Sequence, residues 1–237
     1  MQIRKNTGQR AEASGMRLLK SIALLVVLAS LTGCPLFGFL ASTIPQYESA
    51  VFDLPNRPTL VLVDDPRSIF GGAQALATIA AYTGADLLHS GTVTTVIDQR
   101  NVAELAGKAG DRFAEMSVEQ VGKALGAAQV IHVTIRSADM AMAPGVLRPT
   151  AVVEVVVVDV ENRQRMFPPA SESSGVPSTP GTRGGHMVAV TLRARTTNLD
   201  NQRALDVIRQ RLAERVGVRI GELFHRHQVQ EDEQMRP

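Results

Sequence analysis

The chain contains no tryptophan, two tyrosines and seven phenylalanines, too few rings for base-stacking platforms or aromatic cages. One cysteine in 237 residues excludes an internal disulfide framework and any site built from several thiolates. Basic surplus is scarce too, although the formal charge is +2. Five basic residues (Arg4, Lys5, Arg10, Arg17, Lys20) and one acid (Glu12) lie in the first 33 positions; 20 basic and 22 acidic residues remain beyond them. Bulk-charge binding to nucleic acid is therefore not expected. The hydrolase signatures G-x-S-x-G and H-E-x-x-H are absent, and Gly71-Gly72 matches neither a P-loop nor a dinucleotide fingerprint. The sequence predicts no catalytic set, no metal site and no cofactor.

What is present begins with the leader. A basic stretch is followed by Ser21 to Leu31, SIALLVVLASL, eleven residues without charge. That is the length of a signal-peptide apolar core and too short to span a bilayer alone. It runs into Leu31-Thr32-Gly33-Cys34, which resembles a bacterial lipoprotein signal: an aliphatic residue, two small ones, then cysteine. The resemblance implies cleavage before Cys34 and acylation of its sulfur, so Cys34 is the expected lipidation site. Leu31, Thr32 and Gly33 form the expected cleavage motif. Pro35 follows instead of the aspartate that retains many lipoproteins at the inner membrane, so the outer membrane is the expected address. The alternative is an uncleaved membrane helix, since no charge occurs from Ser21 to Tyr47.

Downstream, the hydrophobic pattern predicts a tether over 34–56, one α/β domain over 57–226 and a polar tail over 227–237. Thr59 to Asp64 reads as a strand closed by Asp65-Pro66. A helix follows Gly71-Gly72 with Gly84 as its C-terminal cap, and Gly91 to Ile97 reads as a second strand. Asp98 is placed to cap the next helix, and Ser117-x-x-Gln120 is a capping box ahead of a third, stopped by Gly126. Gln129 to Ser137 alternates as a strand. Thr150 to Val160 is almost continuously apolar, as expected of a strand covered on both faces. Residues 162–184 read as a polar excursion, His186 to Arg195 as a strand, and 200–224 as a terminal helix with Leu205, Ile208, Leu212, Val216 and Ile220 on one face. The predicted fold is a single mixed β-sheet flanked by helices.

Two segments carry a family resemblance. Val96-Ile-Asp-Gln-Arg-Asn-Val-Ala-Glu-Leu105 and Val121-Gly-Lys-Ala-Leu-Gly-Ala-Ala-Gln-Val130 resemble the periplasmic α/β domain shared by the curli-secretion lipoprotein CsgG, the penicillin-binding-protein activator LpoB and the TolB amino-terminal domain. The resemblance spans about residues 59–160 and implies an envelope docking or assembly role without catalytic residues. A subunit of a CsgG-like secretion assembly and an envelope hydrolase are the alternatives. A pore is disfavoured because the insert at 162–184 is rich in proline and glycine. A hydrolase would need Asp64, Asp65 and a histidine gathered in one cleft.

Arg211, Arg215 and Arg219 recur every fourth residue on the terminal helix. They are read either as a solvated row paired with Glu214 and Glu222, or as a contact for anionic lipid or an acidic partner. His225-x-His227 reads as a basic helix end rather than a metal pair. His132 reads as a structural histidine on the polar face of its strand. The expected partners are the membrane, through acyl chains on Cys34, and an envelope protein the sequence does not identify.

Overall fold

In the computed structural model, residues 46–143, 146–169, 184–194, 202–228 and 234–235 are described. Leu31, Thr32, Gly33 and Cys34 lie outside them, as does most of the expected tether. Tyr47–Pro237 forms one compact unit. Among the described residues no helix is long and apolar enough to cross a membrane.

The chain enters through β1 (Tyr47–Glu48) and β2 (Thr59–Asp64). Helices α1 (Ala73–His89) and α2 (Gln99–Ala109) follow, then a 3-10 turn over Gly110–Glu115 and α3 (Val118–Ala124). The long strands β3 (Gln129–Ala143) and β4 (Val146–Asp159) come next, then β5 (Gln164–Phe167), β6 (His186–Thr191) and β7 (Arg193–Ala194). Helix α4 (Gln202–Gly221) runs into a 3-10 turn over Glu222–Phe224, and β8 (His227–Gln228) and β9 (Gln234–Met235) complete the order.

The sheet is mixed, as the sequence predicts. Strand β2 lies parallel to β3, β3 antiparallel to β4, and β5, β6 and β7 lie along the far side of β4. A parallel pair needs a long crossover, and α1 to α3 supply it between β2 and β3. Alternate residues of each strand point to opposite faces. Val61, Ile131, Val133, Ile135, Val153, Val155 and Val157 therefore meet Ile79 and Leu87 of α1 and Leu212, Val216 and Ile220 of α4 in the main core. Among the described residues the opposite face is covered at one end only, where Leu60, Leu62, Val130 and Val160 pack against Val121 of α3, with Val102 and Leu105 of α2 beside them.

The caps of α2 and α3 are those the sequence announces. Asp98 accepts from the Arg100 backbone at the start of α2. Ser117 and Gln120 make the reciprocal capping box of α3, and Gly126 stands just past that helix at φ 73°.

Four readings are corrected. Gly84 does not cap α1, which continues to His89; its bare Cα faces the Val96 side chain, where an added Cβ would lie 2.9 Å from Cγ1. Gly91 to Ile97 is no full strand, only a single parallel bridge from Val96 to Thr59. Residues 47–56 belong to the compact unit rather than to a tether: β1 pairs with β8, Val51 and Phe52 donate backbone hydrogen bonds to the Leu223 carbonyl, and Leu54 is buried. Residues 164–167, expected in a polar excursion, form β5, and Phe167 is buried against Phe52 and Phe224.

Candidate functional site

The densest polar cluster among the described residues surrounds the end of α4, where the chain leaves the helix for β8. Helical spacing puts Arg215 and Arg219 one turn apart, and the 3-10 turn that follows carries Glu222 back beneath them. The Glu222 side chain is 5% exposed, 2.7 Å from Arg219 and 3.6 Å from Arg215. A carboxylate buried to this degree needs such partners. The arginine row is therefore not a uniform solvated face. Arg211 is exposed, whereas Arg215 and Arg219 are committed to a buried acid.

Two histidines complete the cluster. His225 Nε2 lies 2.6 Å from Asp86 Oδ2 of α1, with both side chains mostly buried. Asp86 packs directly on Gly221, where a Cβ would collide with its carboxylate. His227 is 9% exposed; its Nδ1 lies 3.1 Å from the His225 carbonyl, and its Nε2 is 3.4 Å from Glu48 and 4.0 Å from Glu222. That Nε2 atom is buried without a hydrogen bond. The two rings are 5.9 Å apart and address different carboxylates. Among the described residues no three His, Cys, Asp or Glu side chains gather to hold a metal.

The cluster floors a cleft of about 220 Å³ between Glu48, Ser49 and Val51 on one side and the start of β6, His186 to Ala189, on the other. Its chemistry is that of a clasp. The β1–β8 pairing joins the segment nearest the amino-terminal residues to the end of α4, and Arg226 lies over the Tyr47 ring at 4.7 Å.

A second polar group occupies the half of the sheet left open by α2 and α3. Asp64 and His132 lie on neighbouring parallel strands, His132 Nε2 being 2.6 Å from Asp64 Oδ2. Beside them Arg136 Nε donates to the Glu154 carboxylate at 2.5 Å. Asp65 turns away: its Oδ2 accepts the Phe70 backbone N–H at 2.7 Å and closes the turn after β2. The structure thus brings Asp64 to a histidine but uses Asp65 structurally. The pair is exposed on a sheet face, with Asp64 53% exposed.

At the far end of β4, Asp159 accepts the Asn162 backbone N–H at 2.9 Å and a hydrogen bond from Arg57 at 3.0 Å. The Asn162 hydrogen bond first, and Arg57 after it, hold the Asp159 carboxyl below its ordinary range against the opposing effect of burial. Glu119, near the start of α3, is held low mainly by the Ser117 hydroxyl.

Sequence reasoning named Glu222 as a partner of the arginine row but not its burial, and it missed Asp86 and Glu48, whose contacts with His225 and His227 join distant parts of the chain. The signal available was the placement of His225 and His227 just past a helix whose own acid, Glu222, sits on its apolar side.

No protein-family model matches the chain, and no curated protein matches it in sequence. Among solved structures it is similar to lipoprotein GNA1162 from Neisseria meningitidis, at 15% identity and a TM-score of 0.40 over 68% of this chain and 98% of that one. It is also similar to the PelC dodecamer from Paraburkholderia phytofirmans, at 11% identity and a TM-score of 0.36 over 75% and 96%. A Xanthomonas campestris protein assigned to family-model DUF330 gives 9% identity and a TM-score of 0.40 over 75% and 90%.

Proposed function

We propose that the chain is a lipid-anchored protein of the bacterial cell envelope that acts by docking rather than catalysis. The observation that carries the reading is the lipobox: the sole cysteine stands directly after Leu31-Thr32-Gly33 at the end of an uncharged run. Two or three acyl chains anchor firmly, since each buried methylene contributes about 0.8 kcal/mol. The compact unit starts at Tyr47. The intervening residues 35–46 can extend at most about 43 Å at ~3.6 Å each, which keeps the domain within reach of the bilayer surface.

The docking role draws on the likeness of residues 96–105 and 121–130 to the CsgG, LpoB and TolB group. The way the polar residues are used supports it as well. Asp65, Asp86, Glu154 and Glu222 each serve a structural hydrogen bond or ion pair. The Asp64–His132 pair favours the hydrolase reading only if a nucleophile can join it.

The test is metabolic labelling with a clickable palmitate analogue, alongside affinity purification from detergent-solubilised envelopes. The wild-type chain takes up label and returns with an envelope protein, whereas Cys34→Ser takes up none. Equal labelling of the two chains overturns the anchor. Hydrolysis of a model ester that disappears with His132→Ala overturns the non-catalytic reading.

A further inference from the structure

A neutral imidazole donates a hydrogen bond from one nitrogen and can only accept at the other; the protonated ring donates from both. Where the chain leaves α4, each histidine has an oxygen acceptor opposite both of its nitrogens. His225 Nδ1 lies 3.1 Å from the Arg226 carbonyl oxygen and its Nε2 2.6 Å from Asp86 Oδ2. His227 Nδ1 lies 3.1 Å from the His225 carbonyl oxygen, and its buried Nε2 has the Glu48 and Glu222 carboxylates as neighbours at 3.4 and 4.0 Å. A neutral ring satisfies one such contact and leaves a lone pair against an oxygen at the other. Only the imidazolium form answers both.

The ionisable groups around His227 act on its proton from each element packed there. Glu48 of β1 and Glu222 of the 3-10 turn favour it, and Asp86 of α1 favours that of His225. Arg215 and Arg219 of α4 oppose it but are themselves bound to Glu222. The two rings, 5.9 Å apart, oppose each other. Arg226 is turned to the Tyr47 ring, and His186 of β6, across the cleft, packs on Phe167. With both rings neutral, three carboxylates face two guanidinium groups, and one ring proton cancels the surplus negative charge.

From this geometry we infer that the β1–β8 pairing is a proton-operated latch. Protonated His227 donates from Nδ1 to the His225 carbonyl and from Nε2 toward Glu48, which ties β1 to the end of α4. Loss of the proton sets a lone pair against the Glu48 carboxylate and releases β1. The latch is closed at mildly acidic pH and opens as pH rises through the range in which histidine changes charge, about 5 to 8. Each proton taken up on closing makes the closing constant fall by up to ~10-fold per pH unit. Opening displaces Glu48, Ser49 and Val51, one wall of the cleft, so the same proton controls access to Glu222 and His227. The inference uses only described residues and holds whether or not Cys34 carries lipid.

The test is hydrogen–deuterium exchange of the full chain in detergent, read by mass spectrometry and corrected for the intrinsic exchange rate at each pH. Val51 and Phe52 report the latch, because their backbone N–H groups donate to the Leu223 carbonyl. Their protection should fall roughly tenfold or more between about pH 5.5 and 8, while that of the β3–β4 ladder around Val133 and Val155 stays constant. His227→Gln, which cannot change charge, should remove most of the fall. Glu48→Gln is the second variant; that side chain is 57% exposed, so the fold survives the change, and the fall should again shrink. Flat protection in the wild-type chain overturns the latch. A fall shared by the β3–β4 ladder also overturns it, since that marks loss of the whole fold. So does a fall that either variant retains in full.

Discussion

The Glu222 carboxylate lies 2.7 Å from the Arg219 guanidinium, at the point where α4 ends and the chain turns back toward Glu48. The contact decides how the arginines of this helix respond to change. Removing one partner of a buried ion pair costs about 3–5 kcal/mol because the other charge is left without compensation. Arg215→Glu, at a side chain only 16% exposed, should therefore lower stability by several kcal/mol in urea titrations. Arg211→Glu should remain within about 0.5 kcal/mol of wild type, as surface substitutions do. A test of lipid or partner contact through this helix should use Arg211 alone, since reversing all three arginines would damage the fold.

The contact of α1 with α4 depends on Gly217. A Cβ there would lie 2.6 Å from the Ile79 carbonyl oxygen and 2.7 Å from Tyr82 Cβ, where Thr83 Oγ1 also donates to the Gly217 carbonyl. Gly217→Ala must push the helices apart, and overpacking of this kind costs about 1–3 kcal/mol. Gly107→Ala, with open space around it on α2, should instead gain a few tenths of a kcal/mol from helix propensity. Thermal midpoints of the two variants should move in opposite directions.

Strand β4 has two unequal faces. Val155 is fully buried in the main core, whereas Val156 faces the half-open side and is only partly covered. A buried, unpaired carboxylate costs several kcal/mol. Val155→Asp should abolish folding, while Val156→Asp should yield a soluble protein with a lowered midpoint. Circular dichroism of the purified variants distinguishes the two results.

Acid should weaken the domain through Asp159. Its carboxyl is held below the ordinary range when folded, so its contribution is complete above the unfolded value, near 3.8, and is lost as pH falls through the lower, folded value. Asp159→Asn should be less stable at neutral pH and show a flatter stability profile between about pH 5 and 2. Urea midpoints measured across that range test the sign.

The elements that local chemistry specifies were legible in the sequence. Strands β2, β3 and β4 follow from alternation and apolar runs; the capping box at Ser117 and the stripe from Ile208 to Ile220 follow from helical spacing. The misreadings came from residues whose role is set at a distance. Gly84 looks like a helix stop, but α1 continues because that glycine admits Val96. Residues 47–56 lack any period because they are held by Leu223 and by β8, more than 150 positions away. The arginine row has a regular spacing, yet the buried Glu222 gives Arg211 and Arg215 different environments. Thr150 to Val160 is apolar on both sides, but α2 and α3 reach only one end of it, and the sequence does not say where a crossover will stop.

The central claim is the lipid anchor at Cys34, and the intact mass of the protein extracted from its own membranes measures it most directly. The account predicts a chain that begins at Cys34, lacks residues 1–33, and carries a diacylglyceryl group with or without an additional amide-linked acyl chain. A mass matching the unmodified 237-residue chain, or a cleaved chain with a free Cys34 thiol, would contradict it.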